Sequence, residues 1–244
     1  MIVARTEHPD WLSNAYLVAE EAGGHGVLVD GNGLLEELLA RVKTDRIELT
    51  HVLLTHGHHD HIEGVAEVAE RLGLPVVGDP GLVAALGRPV EATGDGAVLR
   101  TGGLEVEALA TPGHAPGHLA FLVNGTDCLT GDVLFRGTVG GTRGGGPTGF
   151  ADLRRSVERL LGLPPETRVH PGHREATTVG AERDSNPFVR VWAGLDPEGD
   201  EPCRVGGEEA TLVLWAPDYD GGHKAWVRYP SGEDAIVGGS QVER

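Results

Sequence analysis

The sequence predicts an α/β layered domain followed by a small β-rich C-terminal extension. Three observations carry that reading. Residues 1–78 alternate short apolar strands with amphipathic helices. Between residues 90 and 122 the pattern changes to strand-like alternation. Beyond a segment at 196–202, which is acidic and carries two prolines, only strand-like runs follow.

Taken in order, residues 2–5 and 14–19 have strand character, and Gly26-Val-Leu-Val-Asp30 is a short apolar strand closed by a Gly-Asn-Gly turn. Leu34, Leu35, Leu38, Leu39 and Val42 repeat at helical spacing and predict an amphipathic helix over 34–42. A buried strand is expected over 47–55, a helix over 62–72 ended by Gly73, and a strand over 75–78. Alternation at 104–109 and an apolar run at 127–130 predict two further strands. A Gly-rich loop spans 137–149, long enough to close over a substrate. Helices are expected at 150–161, 176–183 and 187–192, with a strand at 167–170 between the first two. The extension carries strands at 210–215, 224–229 and 235–237. The expected organisation is therefore a catalytic domain over 1–195, an acidic linker over 196–202 and a β-rich extension over 203–244.

The 244 residues are enough to bury a sizeable core without disulfides. Twenty Lys and Arg against 37 Asp and Glu leave a net charge of −17, a field that repels nucleic acid and acidic membrane surfaces. No apolar run approaches a membrane span, and the first ten residues lack the charged and apolar regions of a signal peptide. Two cysteines make no disulfide framework, so two reduced thiols in a cytoplasmic protein are expected.

Histidine is the unusual residue: there are twelve, and they cluster. Thr55-His56-Gly57-His58-His59-Asp60-His61 directly follows a predicted strand. In an extended segment alternate side chains face the same way, so His56 and His58 converge while His59 faces elsewhere. Asp60 and His61 sit where the chain turns into the next helix and approach the same cavity from a second direction. Three further candidates follow, each just past a strand-like segment and flanked by Gly or Pro: His114, Asp132 and His173. Neutral imidazole and carboxylate are the donors that zinc and comparable divalent metals prefer. Seven such donors are too many for one tetrahedral ion and fit two ions with open positions.

With these residues in place, the chain resembles the metallo-β-lactamase-fold hydrolases, whose pattern is His-x-His-x-Asp-His, then Pro-Gly-His, Gly-Asp and Pro-Gly-His. All seven positions are matched here. The surrounding text, including Thr177-Thr178 and Asn186-Pro187-Phe188, is similar to the glyoxalase II-like branch. The resemblance covers about residues 2–195. It implies an αββα sandwich of the metallo-β-lactamase type. It also implies one metal on His56, His58 and His114, a second on Asp60, His61 and His173, and Asp132 bridging them.

The activity so implied is hydrolysis of a thioester or related small acyl substrate by a metal-bound hydroxide, with two zinc ions as cofactors and Asp60 positioned to take the proton. Alternatives of the same fold are a lactonase and a persulfide dioxygenase. The latter would hold one iron on the equivalents of His56, His114 and Asp132, a set suited to dioxygen chemistry. A nuclease of this fold is disfavoured by the acidic charge. Arg136, Arg143 and Arg174 are candidates to dock an anionic acyl or thiol-conjugate substrate. The aromatic C-terminal extension departs from glyoxalase II, whose corresponding region is helical, and is expected to pack on the main domain or to form a homo-oligomer. His118 is expected to be a surface or half-buried residue or, alternatively, a partner of a ligand side chain, His170 a strand-end residue, and Cys128 a core residue.

Overall fold

Six strands build the first sheet in the order β1-β2-β3-β5-β6-β7. They are β1 (Ile2–Glu7), β2 (Asn14–Ala19), β3 (His25–Val29), β5 (Glu48–Leu53), β6 (Val76–Gly78) and β7 (Glu91–Ala92), and the short β4 (Gly31–Asn32) follows β3. The first three are antiparallel neighbours, and pairing turns parallel from β3 onward. The computed structural model describes residues 1–143 and 149–244, so the centre of the predicted Gly-rich loop lies outside the described residues.

These strands belong to a compact unit formed by Met1–Ala110, Gly117–Gly131 and His170–Arg174. Its second sheet is an antiparallel run of β8 (Val98–Thr101), β9 (Leu104–Ala110), β10 (Leu119–Val123) and β11 (Asp127–Gly131). Side chains alternate across a strand, so β2 serves two cores. Tyr16 and Val18 pack with Leu53, Val106, Phe121 and Leu129 between the sheets. Ala15 and Leu17 join Leu28, Val52 and the helical Leu35, Leu38, Val65 and Val68 on the outer face. Each fully buried aliphatic side chain here contributes about 1.5–3 kcal/mol.

Helix α1 (Leu35–Asp45) ends at Arg46 in the left-handed region, its N–H capping Val42 and Lys43. The helix expected over 62–72 is broken in two, α2 (His59–Ile62) and α3 (Val65–Leu72). Glu63 is extended and Gly64 takes φ +80°, a conformation that costs little without a Cβ. Apolar periodicity ran through this point because it records which faces are buried and not where the backbone turns. A short helix α4 (Val83–Leu86) follows β6.

The second unit comprises Thr111–Pro116, Asp132–Val169 and Glu175–Arg244. A small hairpin, β12 (Leu134–Phe135) with β13 (Thr138–Val139), follows Asp132. Then come α5 (Gly149–Leu161), the first half of β14 (Arg168–Pro171), whose last two residues belong to the first unit, then β15 (Thr177–Thr178), α6 (Val179–Ser185) and α7 (Pro187–Trp192). The helix expected from 176 starts at 179 because Thr177 and Thr178 pair with Val169 and Arg168, and Thr178 then caps the Ala181 N–H.

The C-terminal strands are β16 (Glu201–Val205), β17 (Glu208–Pro217), β18 (His223–Arg228), β19 (Asp234–Gly238) and β20 (Val242–Glu243), in a sheet ordered β19-β18-β17-β16-β20. Cys203, Val205, Leu212, Ala225, Val227 and Val237 form their core. Strand β16 opens at Glu201, inside the segment read as linker. The sheet shares its unit with α5 and α7, and Trp226 of β18 lies against Phe150 at 5.1 Å and Trp192 at 6.4 Å between ring centres. No helix among the described residues is long and apolar enough to cross a membrane.

Candidate metal centre

After β5 the chain stays extended through Thr55 to His58 and turns into α2 at His59. The extended stretch brings His56 Nε2 to 3.1 Å from His58 Nδ1. His59 points away, its side chain 70% exposed and 3.4 Å from Glu63. Within the turn Asp60 Oδ2 lies 3.6 Å from His61 Nε2. It lies the same distance from His173 Nε2, contributed by a segment 113 residues later. The donor atoms of Asp60, His61 and His173 all fall within 4.8 Å of one another. In the second unit His114 Nε2 approaches Asp132 Oδ2 at 3.4 Å.

These separations have a physical meaning. Two donors about 2.1 Å from one ion at the tetrahedral angle stand about 3.4 Å apart. The pairs at 3.1, 3.4 and 3.6 Å match that spacing, and every donor is an imidazole nitrogen or a carboxylate oxygen. The residues therefore fit divalent ions.

The outward ring nitrogens decide which nitrogen is free to bind. Asp30 Oδ2 lies 3.1 Å from His61 Nδ1, and an ionised carboxylate can only accept, so Nδ1 carries the proton and Nε2 the lone pair. The Gly141 carbonyl, 3.0 Å from His114 Nδ1, does the same for that ring. Thr55 donates its hydroxyl to Asp30 at 2.7 Å and can therefore accept from His56 Nδ1 at 3.0 Å. Asp30 also accepts the Thr55 backbone N–H at 2.8 Å. This buried carboxylate, at φ +59°, thus orients two of the histidines. Residue-by-residue reading of the sequence missed Asp30; the one signal was a carboxylate ending an otherwise apolar strand.

Asn14 was missed too. Its Nδ2 donates to the Pro171 carbonyl at 2.9 Å and the Arg174 carbonyl at 2.8 Å, and the Tyr16 hydroxyl donates to Pro171 at 2.7 Å. Full burial raises the Tyr16 phenol well above its ordinary value and keeps it a neutral donor. With Gly172 N–H bonded to Gly131 and its carbonyl to Asn14, the backbone on both sides of His173 is held.

His118 corrects the expectation of a surface or half-buried residue. It is 1% exposed and stacks on His56 at 5.1 Å. Its neighbour Gly131 has no side chain to displace the ring: a Cβ there would meet His118 Nε2 at 2.6 Å. His170 lies in β14 and bonds Asp127 at 2.8 Å. The three arginines take different places. Arg174, at φ +60°, pairs with Glu7 at 3.0 Å. Arg143 lies 4.5 Å over the Tyr229 ring and 3.6 Å from Glu208. Arg136 is exposed and lines a cavity of about 900 Å³ with Arg168, Thr177, Thr178 and Tyr219.

An α/β chain whose His and Asp donors cluster just beyond its strands has the residues to hold divalent ions. The sequence pattern of the metallo-β-lactamase superfamily matches residues 8–173, and the chain belongs to that superfamily. Its fold is the metallo-β-lactamase fold, as the solved relatives also have it. Hydroxyacylglutathione hydrolase GloC of Haemophilus influenzae is 31% identical, over 68% of this chain and 87% of that protein. The crystal structure of ETHE1 from Myxococcus xanthus is similar with a TM-score of 0.69 and 31% identity, covering 80% of this chain and 92% of that one. TTHA1623, solved in a di-iron-bound form, shares 40% identity at a TM-score of 0.63, over 77% of this chain and 100% of that one.

Proposed function

We propose that the protein is a metal-dependent hydrolase of thioesters or related small acyl compounds, working with two zinc ions. His56, His58 and His114 would hold one ion, Asp60, His61 and His173 the other, and Asp132 would be shared. The observation that carries the reading is an oxygen placed at the far nitrogen of two rings, Asp30 Oδ2 at 3.1 Å from His61 Nδ1 and the Gly141 carbonyl at 3.0 Å from His114 Nδ1. His61 and His114 each give their Nδ1 proton to a group that can only accept, leaving Nε2 for a cation.

Divalent ions held there supply Lewis-acid polarisation of an acyl carbonyl and acidify water at neutral pH. The chain's own residues supply orientation and a proton acceptor. Asp60 turns Oδ2 toward His61 and His173, and its side chain is 27% exposed. Its second oxygen, Oδ1, can accept the proton of the attacking water. Arg136 is the candidate to dock a carboxylate of a thiol conjugate through its guanidinium fork.

The likeness to a di-iron-bound protein and to ETHE1 supports a second reading, an iron enzyme of the persulfide dioxygenase type using His56, His114 and Asp132. Elemental analysis of protein purified without added metal, with thioester, lactone and persulfide assays, separates the two. Two zinc ions and thioester turnover support the proposal. One iron with oxygen uptake on a persulfide overturns it. Asp60→Asn with both metals retained is expected to lose most turnover; full turnover would remove Asp60 from the proton's path.

A further inference from the structure

The family pattern ends at residue 173, and the five-stranded sheet built from residues 201–243 lies beyond it. Among the described residues, that sheet is attached at several points to the eleven residues after Asp132. Lys224 of β18, 6% exposed, donates from Nζ to the Val139 carbonyl at 3.1 Å. Its charge is balanced by Asp218 at 3.2 Å, and Nζ stands 5.4 and 5.0 Å from the ring centres of Phe135 and Tyr219. Thr142 pairs with the free side of β19: its N–H donates to the Ile236 carbonyl at 2.9 Å, and its hydroxyl accepts the Ile236 N–H at 2.8 Å. Arg143 stacks on Tyr229.

Between these anchors lie Gly140 and Gly141, and both touch the proposed donors. The Gly141 carbonyl accepts from His114 Nδ1 at 3.0 Å. Gly140 passes so close to Asp132 that a Cβ would fall 1.9 Å from the Asp132 carbonyl oxygen and 3.3 Å from His114 Cβ. Glycine loses the most conformational freedom on ordering, so two in succession set no carbonyl direction by themselves. Within the segment the Gly140 N–H is held by the Val133 carbonyl at 3.2 Å, and the Gly141 carbonyl takes its direction from the residue that follows it, Thr142. From the other side the hairpin is held by Glu182, which accepts the Gly137 N–H at 2.8 Å, and by Asn186, which donates to Thr138 at 3.1 Å. Neither contact reaches Gly141.

We infer that the C-terminal sheet is a brace for the His114–Asp132 donor pair, acting through Thr142 on the Gly141 carbonyl and through Lys224 on Val139. Thr142 and Lys224 are positioning residues: they touch no ion and act through the backbone that orients His114. The inference rests on the metal reading above and adds a role for the extension.

The test is metal affinity of the full chain, stripped and titrated with zinc and with cobalt against a chromophoric chelator, without any turnover assay. The variants are Thr142→Val, which removes the hydroxyl at nearly constant shape, Thr142→Ser as rescue, and Lys224→Met with Asp218→Asn, which leaves no buried charge alone. Loss of an outer partner of a metal-binding histidine costs about 10–100-fold in affinity. We expect the equivalent held by His114 to weaken by at least about tenfold in Thr142→Val and the other, which shares Asp132, to weaken less, with an altered cobalt visible band. Thr142→Ser should bind as wild type, and thermal midpoints of the metal-free proteins should agree. Unchanged affinities in Thr142→Val and in the Lys224/Asp218 pair overturn the brace while leaving the metal reading intact. Equal weakening of both equivalents, failure of Thr142→Ser to rescue, or unfolding of both Thr142→Val and the paired variant also overturns it, because the sheet would then be general scaffold. A wild-type chain that binds no divalent ion overturns the metal reading itself, and the brace with it.

Discussion

Asp30→Asn isolates the contribution of a single buried charge to ion binding. The side chains are nearly the same shape, and Asn tolerates the left-handed backbone that Asp30 adopts at φ +59°. No steric cost therefore confuses the outcome. The carboxylate accepts three protons, from Thr55 N–H at 2.8 Å, Thr55 hydroxyl at 2.7 Å and His61 Nδ1 at 3.1 Å. An amide has one oxygen, so whichever way it is turned an N–H group faces a donor. If the amide nitrogen meets His61, the ring is driven to carry its proton on Nε2, the atom turned toward Asp60. If it meets the Thr55 backbone, a buried N–H loses its acceptor. A hydrogen bond to a charged group contributes about 1.5–3 kcal/mol. At about 1.4 kcal/mol per decade, zinc affinity should fall by about 10–100-fold. Chelator competition on metal-free protein measures the constant, and thermal melts with and without zinc show how much of the loss falls on the fold. A zinc constant within about twofold of wild type, with an unchanged melt, would refute the claim that Asp30 sets the His61 tautomer.

Other consequences of the structure are open to measurement. Gly113→Ala should lower stability by about 2–4 kcal/mol, read by urea unfolding, because at φ +137° its Cβ would lie 2.3 Å from the Leu153 backbone; a variant as stable as wild type would show that α5 can retreat freely. Burial, with the neighbouring Asp127 charge, pushes the Cys128 thiol up to about 12, and burial also raises Cys203. Native protein at mildly alkaline pH should therefore resist a thiol-reactive disulfide and denatured protein react at both sites, whereas rapid native labelling would contradict the burial. Desolvation holds the His51 imidazole below its ordinary value, against the pull of Glu91. The unfolded chain thus takes its proton first as pH falls. That contribution to stability is full above about pH 6.5 and is lost as the pH drops toward the folded value. Wild type should lose urea resistance between neutral and mildly acidic pH more steeply than His51→Gln, and parallel curves would count against it.

What could be seen in the sequence was what depends on neighbours along the chain. Alternation in 55–58 places His56 and His58 on one side because an extended backbone does so whatever surrounds it. Three of the five strands of the C-terminal sheet, β17, β18 and β19, announced themselves by β-branched and aromatic residues. Asp30 and Asn14 did not, because their partners are 25 to 160 residues away in sequence. His118 was misjudged for the same reason: its burial comes from a ring 62 positions earlier. Strand β16 was hidden by Pro202 and its acidic surroundings. It forms because Cys203 and Val205 face a core that β17 and β18 supply.

Helix α2 holds only four residues, and so short a helix cannot persist in water unaided. It is secured by bridges from Gly31 and Asn32 to Ile62 and Glu63. The histidine run therefore depends on the neighbouring strands for its shape, although four donors lie within six consecutive positions. His173 leaves the ribosome more than a hundred residues behind them. The donors therefore stand together only in the folded chain.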